Sequence, residues 1–247
     1  MQRRLKSMPA QLRCEKKARL YRQPQGRHNL RRIAFVALFS LLCRLPAHAA
    51  TPATVTFTLD FPNSDPDHYS IAVVSDGHAH YECVARISAD SDDRDNYQAD
   101  FTVSDATRAR IFELAAQADY FSGKIDSSKK VAFTGAKKLA YKDGQRDSFA
   151  TYNFSPKPAV QDLTALFQNV AATLEFGRRL AYYHRYQKLA LDDETKHMED
   201  QARRGDLAEL QAVRPVLQEI FDDPSVMNVV RARAQRIMEM KSVPAPR

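Results

Sequence analysis

The chain has 247 residues with 37 Lys and Arg against 30 Asp and Glu, a basic balance that taken alone suggests a nucleic-acid partner. The excess is confined to residues 1–50, which hold 12 basic residues and one acidic residue. Residues 51–247 hold 25 basic and 29 acidic residues, a net charge of −4. We therefore expect no nucleic-acid partner for the chain after residue 50.

The first element in chain order is predicted to be a signal peptide over residues 1–50. An apolar run of 11 residues, 33–43, follows a long basic stretch. As a helix this run covers about half the thickness of a bilayer. Ala47 and Ala49 supply the small residues that a signal peptidase site requires. We expect cleavage after Ala49 or Ala50, a periplasmic or secreted location, and no transmembrane span in the mature chain.

An antiparallel sheet domain is predicted over residues 51–157. Apolar and polar residues alternate from Thr54 to Phe61, which is the period of a strand with one buried face. An Asp-Gly turn at 76–77 then predicts a hairpin. A three-residue loop, 75–77, keeps the apolar residues on one face by pairing Val73 with Ala79, Ile71 with Tyr81 and Tyr69 with Cys83.

A second Asp-Gly turn, at 143–144, predicts another hairpin over residues 138–154. We expect a three-residue loop here as well, 142–144, which places Leu139 and Tyr141 on the face of Phe149. Between the two hairpins the pattern predicts a strand near residues 97–103 and one amphipathic helix. Ser104 is expected to cap that helix, whose buried stripe is Ile111, Leu114, Ala115 and Ala118.

From Pro158 the apolar spacing becomes helical and stays so, which predicts an all-helical region over residues 158–247. Two helices are expected at about 159–187 and 193–204. Gly177 would allow close helix approach or a bend in the first. The whole chain therefore predicts an α+β fold, with an antiparallel sheet built from Asp-Gly hairpins and one packed helix, followed by a helical C-terminal half.

The last segment is predicted to be a helix pair broken at Asp222-Asp223-Pro224. Pro215 should bend the first member unless the break is absorbed at that turn. The order of residues looks like a single HEAT-type repeat: Pro215, Ile220, Asp222, Asp223, Pro224, Val226, Val230, Arg231 and Ala234. One repeat cannot bury its own apolar face, so this pair must pack on the preceding helices.

Residues from about 57 to 172 resemble an uncharacterised secreted bacterial domain family. The shared features are a strand, an Asp-Gly hairpin ending in Tyr81-Glu82, a capped helix ending in the turn at 118–121, a second Asp-Gly hairpin and a following helix. The resemblance implies an α+β fold and export. It implies no activity and no site residue.

Two histidines are the candidate metal ligands. His78 and His80, with Glu82 as a further ligand, alternate on one strand and would project from the same face, where they could chelate zinc. The alternative, which we favour, is a polar face open to solvent. Cys83 falls on the opposite face and is interpreted as a small core residue rather than as a ligand or nucleophile.

Three further groups allow two interpretations each. The acidic loop could bind calcium, although it lacks the EF-hand spacing, and we favour a solvated loop: Asp90, Asp92, Asp93 and Asp95. The lysines could face an anionic partner, and we favour a solvated loop and strand edge: Lys124, Lys129, Lys130, Lys137, Lys138 and Lys142. Tyr182, Tyr183 and Tyr186 are expected to pack against helices, with an interaction surface as the alternative.

The motifs of common enzymes are absent from the sequence. There is no Gly-rich phosphate loop, no Gly-x-Ser-x-Gly and no His-Glu-x-x-His. We therefore expect no cofactor and a non-catalytic exported module that binds another envelope or secreted protein. The alternative is a hydrolase-like or metal-dependent enzyme with its site near His78, His80 and the acidic loop.

Overall fold

The computed structural model describes residues 51–86 and 93–240 of the chain. The predicted signal peptide lies outside these residues, as do Asp90 and Asp92 of the acidic loop. The expectations that concern them therefore stay predictions.

The described residues form six antiparallel strands of one sheet: β1 (Thr54–Asp60), β2 (His68–Val74), β3 (His78–Arg86), β4 (Arg94–Thr102), β5 (Ala136–Lys142) and β6 (Asp147–Tyr152). Their order in the sheet is β4-β3-β2-β1-β5-β6. Strand β1 pairs with both β2 and β5, which joins the two hairpins side by side. The sheet and the helices that follow it confirm the predicted α+β class.

Five α-helices follow or interrupt the strands in the described part of the chain. The predicted stripe of the helix at 105–117 is buried. The helix at 158–186 packs on the sheet through Phe167, whose ring stacks on Phe57 with 5.4 Å between the ring centres. Within residues 51–86 and 93–240, no helix has both the length and the hydropathy of a membrane-spanning helix. The helices are α1 (Asp105–Gln117), α2 (Pro158–Tyr186), α3 (Leu191–Arg204), α4 (Arg214–Asp222) and α5 (Asn228–Glu239).

The first hairpin has the predicted register. Its pairs are Val73 with Ala79, Ile71 with Tyr81 and Tyr69 with Cys83, and all six side chains are buried. Gly77 closes the three-residue loop with φ of 98°, a value that side chains disfavour. The opposite face of the sheet therefore receives the alternate, polar residues of both strands.

The predicted register of the second hairpin is wrong. Tyr141 pairs with Ser148 and Leu139 pairs with Ala150, so that Ala150 rather than Phe149 shares the buried face. Phe149 lies on the outer face and is 62% exposed. The loop between the strands has four residues, 143–146, instead of three.

Side-chain contacts explain the longer loop. The Asp143 carboxylate accepts hydrogen bonds from the backbone N–H groups of Gln145 at 2.7 Å and Arg146 at 2.6 Å, which hold the pKa of that carboxyl below its ordinary value. The Arg146 guanidinium lies 4.5 Å from the centre of the Tyr120 ring, and that ring packs on Tyr141 at 4.6 Å. The contacts of Tyr120 with Arg146 and Tyr141 join residues far apart in the chain, so they cannot be predicted from the turn residues alone.

Two helix-breaking residues in the helical half have clear roles. A Cβ added at Gly177 of α2 would come within 2.5 Å of Val213 Cγ1, so the expected close approach is confirmed. Pro215 lies in the first turn of α4, where its missing N–H is not needed. The break predicted at this proline is therefore absorbed by the start of a new helix, which follows a 3-10 turn, Leu210–Val213.

Gly177→Ala is expected to destabilise the protein. The added methyl group gains about 1 kcal/mol of helix propensity, but overpacking against Val213 costs about 1–3 kcal/mol. Urea unfolding should show a net loss for this variant and a change within about 0.5 kcal/mol for Gly144→Ala, whose surroundings are open. In a Val213→Ala background, Gly177→Ala should become neutral or stabilising, and an unchanged loss there would contradict the proposed clash.

Candidate functional site

The predicted metal ligands lie on the outer face of the sheet. His80 Nδ1 donates to the Asp100 carboxylate at 2.7 Å, across the pairing of β3 with β4, and His78 and Glu82 are exposed. Within residues 51–86 and 93–240, no group of three or more His, Cys, Asp or Glu is arranged to hold a metal ion. Zinc chelation by His78 and His80 stays a prediction.

The favoured interpretation of the lysines is wrong for Lys137. It belongs to β5, an internal strand of the sheet, and it is only 5% exposed. Its ammonium donates to the carbonyls of Thr134 at 3.0 Å and Asn153 at 2.9 Å and to the Thr134 hydroxyl at 2.9 Å. Burial lowers the pKa of this lysine. No carboxylate among the described residues forms an ion pair with it.

The three neighbouring tyrosines of α2, Tyr182, Tyr183 and Tyr186, differ in their exposure. Tyr183 is buried, whereas Tyr186 is largely exposed. The rings of Tyr182 and Tyr186 lie 5.1 Å apart on one side of α2, as their spacing predicts.

A buried charged cluster connects α2 to the sheet. One oxygen of Glu175 accepts from the Tyr81 hydroxyl at 2.7 Å and from the Cys83 thiol at 3.2 Å. The other accepts from Arg178 at 2.9 Å and 3.0 Å, and Arg178 also donates to the Arg86 carbonyl at 2.7 Å. The sequence contains no local signal for this cluster, because its members come from β3 and from α2, more than ninety positions later.

The pKa shifts in this cluster indicate a structural role. Burial and the charge of Glu175 raise the pKa of Tyr81 and raise that of the Cys83 thiol to about 12. Burial alone would lower the pKa of Arg178, but Glu175 outweighs it and holds that pKa above its ordinary value. Cys83 therefore stays protonated at neutral pH and is a poor nucleophile. The interpretation of this cysteine as a buried core residue is confirmed.

Two other buried carboxylates also connect parts of the fold. Glu209 accepts from the Ser104 N–H at 2.7 Å and from its hydroxyl at 2.8 Å, at the start of α1, while the predicted cap bond from Thr107 N–H to Ser104 also forms. Glu199 of α3 accepts from Arg236 of α5 at 2.7 Å and 3.0 Å, and these bonds lower its pKa. Both carboxylates are thus engaged in holding helices.

A cleft opens where residues 122–135, the segment between the 3-10 turn at 119–121 and β5, meet the end of β6 and the first turns of α2. This segment of 14 residues contains no helix or strand. Its shape is held by Asp126, which accepts from the backbone N–H groups of Asn153 at 3.0 Å and Phe154 at 3.3 Å, and by Ser127 N–H, which donates to the Phe154 carbonyl at 2.8 Å. We call this segment the 122–135 loop.

The cleft encloses about 290 Å³, close to the lower limit of about 300 Å³ for drug-sized ligand pockets. Its walls combine two aromatic rings with small and polar groups. They include Lys137, Tyr152, Phe154, Gln161, Thr164 and Ala165. The hydroxyl groups of Tyr152 and Thr164 form a hydrogen bond of 2.5 Å with each other.

Three apolar side chains in this part of the structure are exposed. Phe133 is 59% exposed, Phe154 43% and Val131 41%. The Asn153 amide binds the chain on both sides of Phe133, donating to the Ala132 carbonyl at 2.8 Å and accepting from Thr134 N–H at 2.8 Å. The Phe133 ring itself packs on Phe61, with 5.9 Å between the ring centres. Exposed aromatic residues beside a concave site are typical of protein-binding surfaces. Sequence reasoning missed this site, although a long loop that carries Phe133 was a usable signal.

Comparisons with models of protein families, with curated proteins and with solved structures found no match to this chain. The resemblances to a secreted bacterial domain family and to a HEAT-type repeat therefore stay predictions.

Glu175→Gln is expected to lower the free energy of unfolding by about 3–5 kcal/mol, because Arg178 would keep a buried charge without a compensating anion. Chemical denaturation of the full chain measures this change. Asp206→Asn, which removes an exposed partner from Arg204, is the matched control and should change stability by less than about 1 kcal/mol. Equal effects of the two substitutions would show that Glu175 has no special structural role.

Proposed function

We propose that this chain is an exported, non-catalytic module that binds another protein of the envelope or of the secreted fraction. The observation that carries the proposal is the cleft beside the 122–135 loop, with the exposed Phe154 in its lining and the exposed Phe133 next to the lining residue Thr134. Burying such rings against a partner releases ordered water and stabilises a complex by about 1.5–3 kcal/mol per side chain. The predicted signal peptide supports the location.

The ionisable groups of the core support a binding role over catalysis. Glu175, Glu199 and Glu209 each accept several hydrogen bonds that hold neighbouring elements together. The Cys83 thiol is buried, with its pKa raised by burial. A catalytic group needs a pKa near the working pH and access to a substrate, and these groups lack that access.

The proposal is tested by photo-cross-linking in the native envelope. A benzoylphenylalanine in place of Phe133 should give one discrete adduct, identified by mass spectrometry. Adding Phe154→Ser should abolish the adduct, because the apolar surface around the cleft is broken. Adding Phe149→Ser should leave it intact, because Phe149 is more exposed than Phe154 but lies on the outer face of the sheet.

Cross-linking from the control position, Phe149, shows whether the adduct is specific to the cleft. A photo-reactive group placed at Phe149 should give no comparable adduct. If the adduct survives Phe154→Ser, or if Phe149→Ser removes it equally well, the cleft is not the binding surface and the proposed function is wrong.

A metal-dependent enzyme with its site at His78 and His80 is the second candidate. A surface concavity of about 400 Å³ is bordered by His78, Asp100 and Thr102, and His80 binds Asp100 beside it. Metal analysis of the purified chain tests this candidate. Stoichiometric zinc that is lost in His80→Ala and retained in His68→Ala, a histidine on the same face that is paired with Asp60, would favour it. Equal zinc content in both variants would remove it.

A further inference from the structure

The lining of the cleft carries a positive charge. Among the described residues that line it, Lys137 is the only charged side chain, and the rest are neutral. Its ammonium is surrounded by carbonyl and hydroxyl oxygens, which satisfy its hydrogen bonds but do not cancel its charge. Its charge therefore adds to the positive electrostatic potential around the cleft, which favours carboxylates beside the group that fills the cleft.

The lysines of the 122–135 loop add to the positive electrostatic potential near the cleft. Lys124, Lys129 and Lys130 are exposed on it, and none forms an ion pair with a described residue. Asp126 is the one carboxylate in the loop, and the backbone N–H groups of Asn153 and Phe154 already bind it. The loop therefore presents unpaired positive charge beside the aromatic side chains.

The size of the cleft limits what enters it. About 290 Å³ accommodates one large side chain and lies at the lower end of the range of small-molecule pockets. The aromatic residues at its edge extend the surface beyond the cleft itself, as expected where a chain segment continues on both sides of an anchoring side chain. A protein segment thus fits this site better than a free small molecule.

We infer that the partner contributes an acidic segment with one large apolar side chain, which inserts into the cleft while flanking carboxylates face Lys129 and Lys130. This inference rests on the proposed function and names the chemistry of the partner at the same site. The apolar side chain provides most of the affinity, since exposed charge pairs contribute little each. The lysines accelerate association and select acidic sequences.

Binding of synthetic peptides to the full chain tests this inference by fluorescence anisotropy. The probes are a fluorescein-labelled heptapeptide of aspartate and glutamate with a central phenylalanine, the same peptide with a central alanine, and a lysine-rich peptide with a central phenylalanine. We expect the acidic phenylalanine peptide to bind at least about tenfold more tightly than either of the others. Its affinity should fall severalfold between about 0.02 M and 0.15 M ionic strength.

Matched variants locate the binding. Ala165 lines the cleft on α2, so Ala165→Phe fills it and should weaken the acidic phenylalanine peptide about tenfold, whereas Ala181→Phe, at another exposed position of α2, should not. Replacing Lys129 and Lys130 with Glu should weaken the same peptide at low salt, whereas Lys196→Glu on α3 should have little effect.

The outcomes separate the two proposals. If the alanine peptide or the lysine-rich peptide binds as well as the acidic phenylalanine peptide, if none binds, or if Ala165→Phe has no effect, the inferred partner chemistry is wrong. The envelope cross-link at Phe133 can still form in that case, which would leave the protein-binding function standing. Loss of that cross-link's dependence on Phe154 would overturn both.

Discussion

The Glu175 carboxylate lies against the buried face of the sheet, and hydrogen-bond donors from two elements compensate its negative charge. A buried carboxylate is costly unless it is paired and hydrogen-bonded. Tyr81 and Cys83 from β3 and Arg178 from α2 supply those partners within 3.2 Å. A shift of α2 by one helical turn would separate Glu175 from Tyr81 and Cys83, so these hydrogen bonds favour one position of α2 on the sheet.

The position of α2 in turn creates the cleft. Its apolar stripe packs on β1 through the stacked rings of Phe57 and Phe167, and its first turns reach the end of β6. Gly177 allows the segment that contains Val213 to approach the same helix closely. The helix therefore connects the sheet, the helical half and the cleft, and substitutions far from the cleft can alter its shape.

The two faces of the sheet have different roles. One face is covered by helices and carries the core, while the other presents polar residues such as His78 and His80. The exposed apolar residues with the clearest organisation, Phe133 and Phe154, are at the end of the sheet rather than on this polar face. This arrangement supports the proposed binding at the 122–135 loop.

Local periodicity, capping and turn residues were enough to predict the α+β class, the strand of residues 54–60, the register of the first hairpin, and the helices at 105–117 and 158–186. The register of the second hairpin, the burial of Lys137, the Glu175 cluster and the cleft became visible only in the folded protein. Each of these depends on contacts between residues far apart in the chain, such as Arg146 with Tyr120 or Glu175 with Tyr81. Local pattern carries no information on such contacts, since the same turn or lysine is compatible with several environments until the elements pack.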